Sequence, residues 1–286
     1  MNELIVRLRF LIPTLPRAER AVAQALLEKP ELICFMTLAE LARETDSSDA
    51  SVIRFCRKMG YSGFTDMKQA FAHALNDSSI TIVEEIRRED SVLDNLHKVY
   101  KSNMQSLSDT ILLADADVYE AAVQALLEAK SIHFFGAGDS AAICQLFYFK
   151  FHRLGIPGSA QQDAVMQLIE ASNLGPGDVA IAISYEGKSR TVVNAMRVAK
   201  ERGATVICIT KMSKSPLLKL SDINLFIATS DVTVGKDIVA RRMAEQMIVD
   251  TLYLTLLVRS EKDYDKHLNS TSKFLEMNKI KGRGFK

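Results

Sequence analysis

The 286-residue chain has little of what marks a secreted, metal-bound or membrane-inserted protein. It has four cysteines, Cys34, Cys56, Cys144 and Cys208, and none forms a Cys-x-x-Cys pair. Each sits in an apolar stretch, so buried free thiols in a reducing compartment are expected and a disulfide framework is not. The five histidines are scattered without His-x-x-x-His spacing, which leaves no metal site and no cofactor to expect. The formal net charge is only +1, so any attraction to nucleic acid must come from a local patch. The most apolar late segment, Met247–Val258, is too short to span a bilayer and contains Asp250. Arg7 and Arg9 interrupt the first apolar stretch, and no small-residue cleavage site follows. No short-period repeat is present, which excludes solenoids. A cytoplasmic protein without membrane contact is the expectation.

What is present is ordinary globular material, 48% hydrophobic and 25% charged. The length predicts two domains. Residues 1–77 read as nearly continuous helix, with Leu4, Leu8 and Leu11, then Val22, Leu26 and Leu27, at helical spacing. Pro13, Pro16 and Pro30 punctuate the helices. Residues 78–112 form a linker and a connecting helix, Val92–Leu112, with Leu96, Val99, Met104, Leu107 and Ile111 as its apolar face. From 113 to 260 helices alternate with short β-rich runs: Ser131–Phe135, Val179–Ser184, Thr205–Thr210 and Ile223–Ala228. That alternation predicts an α/β domain with a mostly parallel sheet flanked by helices. Residues 261–286 are assigned to a C-terminal helix and tail, and the basic Lys281–Lys286 stretch is given no function.

The N-terminal domain contains a specific spacing. Thr37 with Glu40 three residues later predicts a capping box opening a short helix, Leu38–Glu44. Asp46-Ser47-Ser48 breaks it, and a second helix runs from about Asp49 to Met59, before Gly60. This is the spacing of a helix-turn-helix, whose second helix enters the major groove of DNA. Ser48, Asp49, Ala50 and Ser51 would approach the DNA, Arg54 follows on the same face, and Arg57 and Lys58 reach phosphates. Val52, Ile53 and Phe55 are expected to face the core. From Asp49 to Lys58 the net charge is +2. Spacing alone leaves a plain helical hairpin with a solvated face as an equal alternative.

Two loops in the α/β domain carry the second signal. Ser131–Ser140 is a strand running into Gly136-x-Gly138-x-Ser140, and Val179–Ser184 runs into Tyr185-Glu186-Gly187-Lys188-Ser189. Glycines let a backbone approach an anion, and a helix N-terminus beyond offers free N–H groups. Two such loops side by side suit a phosphate surrounded by hydroxyls. Gly136-x-Gly138-x-x-Ala141 also formally fits a dinucleotide fingerprint, although Asp163 is the only acid near the required position. Gly187-Lys188-Ser189 resembles the end of a P-loop, but Ala182 stands where that motif needs glycine. Tight strand-to-helix turns alone explain one loop more readily than two.

The run Glu44–Phe64 closely resembles the signature of the RpiR family of regulators. Ser48, Ala50, Ser51, Arg54, Phe55, Arg57, Gly60, Gly63 and Phe64 match it, while Ser47 and Asp46 replace a usual valine and a frequent glycine. The two glycine loops resemble the SIS sugar isomerase module found behind the helix-turn-helix in that family. The resemblance implies a transcriptional regulator of carbohydrate metabolism, an oligomer (dimer or tetramer) binding palindromic operator DNA, controlled by a sugar phosphate. Carried over residue by residue, the ligand would meet Gly138, Ser140, Ser184, Glu186, Gly187, Lys188 and Ser189, together with Asp231 and Arg242. Glu186 departs from the usual serine or threonine and would repel a phosphate unless Lys188 neutralises it. Arg241 replaces a usual serine. Gln162–Gln167 resembles an Asp-x-x-x-Gln element near the ligand, with Val165 for a frequent histidine. That element and Lys188 lean toward the branch that controls hexose catabolism and includes a sensor of keto-deoxy-phosphogluconate.

The alternative is a sugar-phosphate isomerase on the same fold. It needs a general base at the sugar's C1 and C2. Glu186, Asp231 and the expected core residue His133 make no convincing acid–base pair, and a helix-turn-helix has no purpose there. A non-enzymatic regulator is the expectation.

Overall fold

In the computed structural model, residues 8, 11–29, 33, 36–76, 86–229, 233–234, 237–238, 240–260, 262 and 264–278 are described. Cys34, Asp231, most of the expected linker and the 281–286 tail lie outside them. The chain divides into two compact units. The first comprises residues 1–114, 211–214 and 226–244, and the second comprises 115–210, 215–225 and 245–286.

The first unit opens with α1 (Arg17–Glu28), α2 (Leu38–Glu44), α3 (Asp49–Lys58) and α4 (Phe64–Asn76). The capping box at α2 forms as the sequence predicts. Thr37 Oγ1 accepts from the Glu40 amide, and Glu40 Oε2 accepts from the Thr37 amide at 2.7 Å. Those bonds from Thr37 hold the Glu40 carboxyl below its ordinary range. The end of α2 is a Schellman turn. The Ser47 amide reaches back to the Ala42 carbonyl at 2.8 Å, and the Asp46 amide to Arg43 at 3.3 Å. That turn needs a left-handed residue, and Asp46 has φ 46°. Aspartate tolerates the region better than most side chains, and glycine better still. Ser48 then caps α3 by accepting from the Ser51 amide at 3.2 Å. Val22, Leu26, Leu41, Val52, Phe55 and Phe71 form a core sealed to 1% exposure or less.

Three expectations change here. Ile53 is half-buried and lines an open groove instead of joining the core. Ser51, placed on the DNA side from sequence, is buried. The third concerns α5 (Val92–Leu112), whose amphipathic character is inverted. Its buried positions are Lys98, Ser102, Ser106, Asp109 and Thr110, while Leu96, Met104 and Ile111 are 47–63% exposed. The physical reason is a polar neighbour. Thr110 Oγ1 accepts from the Ala228 amide at 3.0 Å and donates to the Ala228 carbonyl at 3.3 Å, and Lys98 pairs with Asp90 at 2.6 Å.

The second unit begins with α6 (Ala116–Glu128), which Asp115 caps through the Asp117 and Val118 amides. Then follow β1 (Ser131–Gly136), α7 (Asp139–His152), β2 (Gly158–Ser159), α8 (Ala164–Asn173), β3 (Asp178–Ile183), α9 (Arg190–Glu201), β4 (Thr205–Lys211), α10 (Pro216–Leu220) and β5 (Ile223–Ile227). The five strands make one sheet in the order β2-β1-β3-β4-β5, with β1 parallel to β2 and β3, and β3 parallel to β4. The central strands are buried almost throughout, which is why they read as continuous apolar runs. The two-residue β2 left no such run and was not legible. Phe134 packs edge-on against Phe151, with ring centroids 5.5 Å apart. A short antiparallel pair, β6 (Thr233–Val234) and β7 (Asp237–Ile238), precedes the long α11 (Ala240–Arg259) and α12 (Tyr264–Leu275). Among the described residues no helix is long and apolar enough to cross a membrane.

The turn between α2 and α3 generates a stability prediction. Asp46→Ala should lower unfolding stability by about 1 kcal/mol, because a β-carbon without a compensating polar group is penalised at positive φ. Asp46→Gly should leave it unchanged or higher. Urea unfolding of the two variants checks this, and equal losses from both would show that Asp46 matters for something other than its backbone.

Candidate functional site

The α3 surface places most of the expected DNA residues outward. Ser48, Asp49, Ala50, Arg54, Arg57 and Lys58 are all exposed. Ser51 sits beneath them and works as a brace. Its hydroxyl accepts from Arg54 Nη2 at 2.9 Å and lies 2.9 Å from the Ser48 hydroxyl. Arg54 is thereby held against its own helix, which leaves less side-chain entropy to lose on any contact it makes. Lys58 pairs with Glu19 of α1 at 3.2 Å. An exposed pair of this kind is weak, so Lys58 stays exchangeable toward a phosphate. Ile53 and Arg57 open onto a groove of about 730 Å³ whose other wall includes Thr37, Thr65 and Lys68. Lys68 was not legible as a neighbour of this surface, because its place beside α3 depends on how α4 returns. Its ammonium donates to the Met36 carbonyl at 2.8 Å.

The ligand loops sit where the sheet order reverses. The chain leaves β1 through α7 toward β2 and leaves β3 through α9 toward β4, so the two exits diverge. In such sheets the crevice beyond the strand ends at the reversal is where ligands bind. The register pairs Gly136 with Ile183, so Gly136–Ser140 and Ser184–Ser189 emerge side by side. Gly138 is the N-cap of α7, and Ser140 lies in its buried first turn. Ser189 is the N-cap of α9 and makes no capping bond with its side chain. Ser184 is buried, while Glu186 and Lys188 are exposed on either side of buried Gly187.

Two glycines are sterically required. A β-carbon at Gly136 would lie 2.8 Å from the backbone of Ser140 and 2.9 Å from Cys144 Sγ. One at Gly187, whose φ is 61°, would lie 2.4 Å from Ser215 Oγ. The second loop is also pinned by its backbone. The Gly187 amide donates to Ser184 at 3.0 Å, and Thr210 Oγ1 donates to the Tyr185 carbonyl at 3.0 Å.

Gln167, which the Asp-x-x-x-Gln resemblance puts near the ligand, braces the first loop. Gln167, 1% exposed, donates from Nε2 to the Gly136 carbonyl at 2.7 Å. Asp163 caps the same helix through the Val165 and Met166 amides. The Asp-x-x-x-Gln element is thus a cap and a brace for the first loop. Asp231 lies outside the described residues, and Arg242 is half-buried near the start of α11, in the first unit.

The remaining titratable groups of the second unit are arranged for structure. Burial pushes the Cys144 thiol far above its ordinary range, with the Glu245 carboxylate adding to it. Burial lifts Cys208 to about 11. His133 stands at the opposite end of β1 from the loops. Its Nδ1 lies 2.9 Å from Glu170 and its Nε2 2.7 Å from Ser131 Oγ, which donates to Asp178 at 2.6 Å. Burial pulls the imidazole below its ordinary range, against the opposing pull of Glu170 and Asp178.

Comparison with known proteins agrees with both halves. Residues 3–78 match the family described as Helix-turn-helix domain, rpiR family, and residues 125–260 match the SIS domain. An uncharacterized HTH-type transcriptional regulator of Caldanaerobacter subterraneus is 35% identical over 98% of this chain and 99% of its own length. The HTH-type transcriptional regulator HexR of Pseudomonas aeruginosa is 31% identical over 94% of each chain. Among solved structures, the Vibrio vulnificus NanR protein complexed with ManNAc-6P superposes with a TM-score of 0.61 at 27% identity, covering 97% of this chain and 99% of that one. A helix-turn-helix of this type followed by a SIS fold, matched over nearly the full length of named regulators, makes the chain a member of the RpiR family of HTH-type transcriptional regulators.

Proposed function

We propose that this regulator senses a sugar phosphate at the β1–β3 crevice and converts its binding into a change of operator affinity. The observation that carries the reading is the pair of glycine loops at adjacent strand ends, each leading into a helix N-terminus at the point where the sheet order reverses. Backbone amides and the partial positive charge of α7 and α9 favour an anion there. Ser140, Ser184 and Ser189 supply hydroxyls to the phosphate and the sugar, Gly138 and Gly187 allow close approach, and Lys188 offsets Glu186. The NanR protein complexed with ManNAc-6P, matched over nearly the whole of both chains, supports this ligand class. The HexR relatives, 31% and 30% identical, support a hexose-derived phosphate.

The DNA half reads with α3. Arg54, aimed by Ser51, contacts a base edge, and Ser48, Asp49 and Ala50 let the helix tip approach the groove floor. Arg57 and Lys58 take phosphates. The active species is a homo-oligomer that places two recognition helices about 34 Å apart on a palindromic site. The exposed apolar stripe of α5, with Leu93, Leu96, Tyr100 and Ile111 each at least 60% exposed, supports self-association. The divisions 1–77, 78–112, 113–260 and 261–286 are the regulator's working parts. A ligand that binds two arrangements unequally shifts the balance between them and so the operator affinity.

A thermal-shift screen against sugar phosphates and their parent sugars tests the ligand class. One phosphosugar should raise Tm while its unphosphorylated form does not, and Gly187→Ala should remove that rise. A response to neutral sugars alone would overturn the phosphate reading. In DNA titrations, Arg54→Ala should weaken operator binding by about 1–3 kcal/mol and narrow the preference over random DNA. Arg57→Ala should weaken all DNA alike and reduce the salt slope by about one unit. An unchanged operator preference in Arg54→Ala would remove that residue from base reading.

A further inference from the structure

We propose that Ile53 is a specificity-determining residue that reads the C5-methyl group of a thymine in the operator. The inference rests on the DNA-reading role of α3 and concerns a side chain that its sequence pattern assigns to the core. In the structure Val52 and Phe55 fill that core at 0% exposure, and Ile53 does not join them. It lies half-buried on the outward side of α3, one turn from Arg57 and beside exposed Ala50 and Arg54. Residues 50, 53, 54 and 57 share one face of a helix at this spacing.

Ile53 shares the apolar lining of an open groove of about 730 Å³ with Met36, Leu38 and Phe64, and it is the one of the four carried by α3. The charge around it is selective. The lining includes Arg57 and Lys68 and contains no carboxylate, and the hydroxyls of Thr37, Ser62 and Thr65 complete the rim. A polyanion with an apolar feature at its centre fits this chemistry. Duplex DNA presents that combination: phosphates along the edges, and in the major groove the thymine methyl as the apolar mark among base edges. An apolar peptide would leave the two cations facing nothing of opposite sign. Ile53 therefore supplies the apolar half of the readout and Arg54 the hydrogen-bonding half, while Arg57 and Lys68 hold the backbone on either side.

The test uses the full-length protein. A duplex enriched from a randomised library is resynthesised with each thymine replaced in turn by uracil, which removes only the methyl. Binding is then measured for the wild type, Ile53→Val and Ile53→Ala. One uracil position per half-site should weaken wild-type binding by about three- to tenfold, a buried methyl group's worth. Ile53→Ala should be indifferent at that position, and Ile53→Val should retain part of the preference. Unchanged melting temperatures show that the core is intact, and the retained preference in Ile53→Val provides a second check. A wild type indifferent to uracil everywhere would overturn the proposal, as would an Ile53→Ala variant with the wild-type thymine preference. Failure to enrich any duplex would overturn the DNA reading beneath it, and the proposal with it, an outcome distinct from an enriched operator in which uracil is harmless.

Discussion

The parallel pairing of β1 with β3 decides where the ligand-binding half of the molecule can act. Once Gly136 stands opposite Ile183, the two following loops have to leave the sheet together. From β1 and from β3 the chain then turns away in opposite directions, which leaves a space between the two exits. The crevice is a product of topology before any side chain is considered. Side chains then make it usable. Gln167 fastens the Gly136 carbonyl from below, and Cys144 packs so close beneath that only glycine fits at 136. The neutral, deeply buried thiol is filler in this arrangement, and a reactive role is foreign to its environment.

The helix-turn-helix depends on a comparable constraint at smaller scale. A Schellman turn, a left-handed aspartate and a serine cap occupy Thr45–Ser48 in succession. Each satisfies backbone groups that the helix ends would otherwise leave unpaired. The cap also has a second use. Ser48 and Ser51 lie hydroxyl to hydroxyl, and Ser51 receives Arg54. The residues that start α3 therefore also orient Arg54, so the stability of the turn and the placement of that side chain are one arrangement.

Much of this was legible in the residues because it is local. The capping box at Thr37 and Glu40, the turn at Asp46–Ser48 and the four longer strands follow from short-range rules. The two glycine loops were likewise visible as strand-to-helix junctions. What escaped depends on contacts far apart in sequence. Ile53 follows apolar Val52 in a motif that reads as core, and only the return of α4 shows that a groove stands beside it. Gln167 was expected near the ligand, but its bond to the Gly136 carbonyl, 31 residues away, was not legible. The apolar periodicity of α5 was correct as a pattern and reversed as a burial assignment. Periodicity states that a helix has two faces, and the neighbours decide which is covered.

The charge distribution bears on how such a regulator discriminates. The whole chain carries a net charge of +1, and two exposed lysines of the DNA-binding domain, Lys58 and Lys29, lie in weak pairs with Glu19 and Glu44 of the same domain. Non-specific affinity for DNA grows with the number of phosphates neutralised and is lost steeply with salt. A chain of such low net charge has little long-range attraction for random DNA. On the reading proposed above, preference for an operator comes from short-range contacts on α3, where Arg54, held by Ser51, and the aliphatic Ile53 stand together. Weak background binding also makes ligand control practicable. When most of the affinity depends on two recognition helices meeting their half-sites in register, a small change in their spacing removes the specific contacts and leaves little electrostatic binding behind.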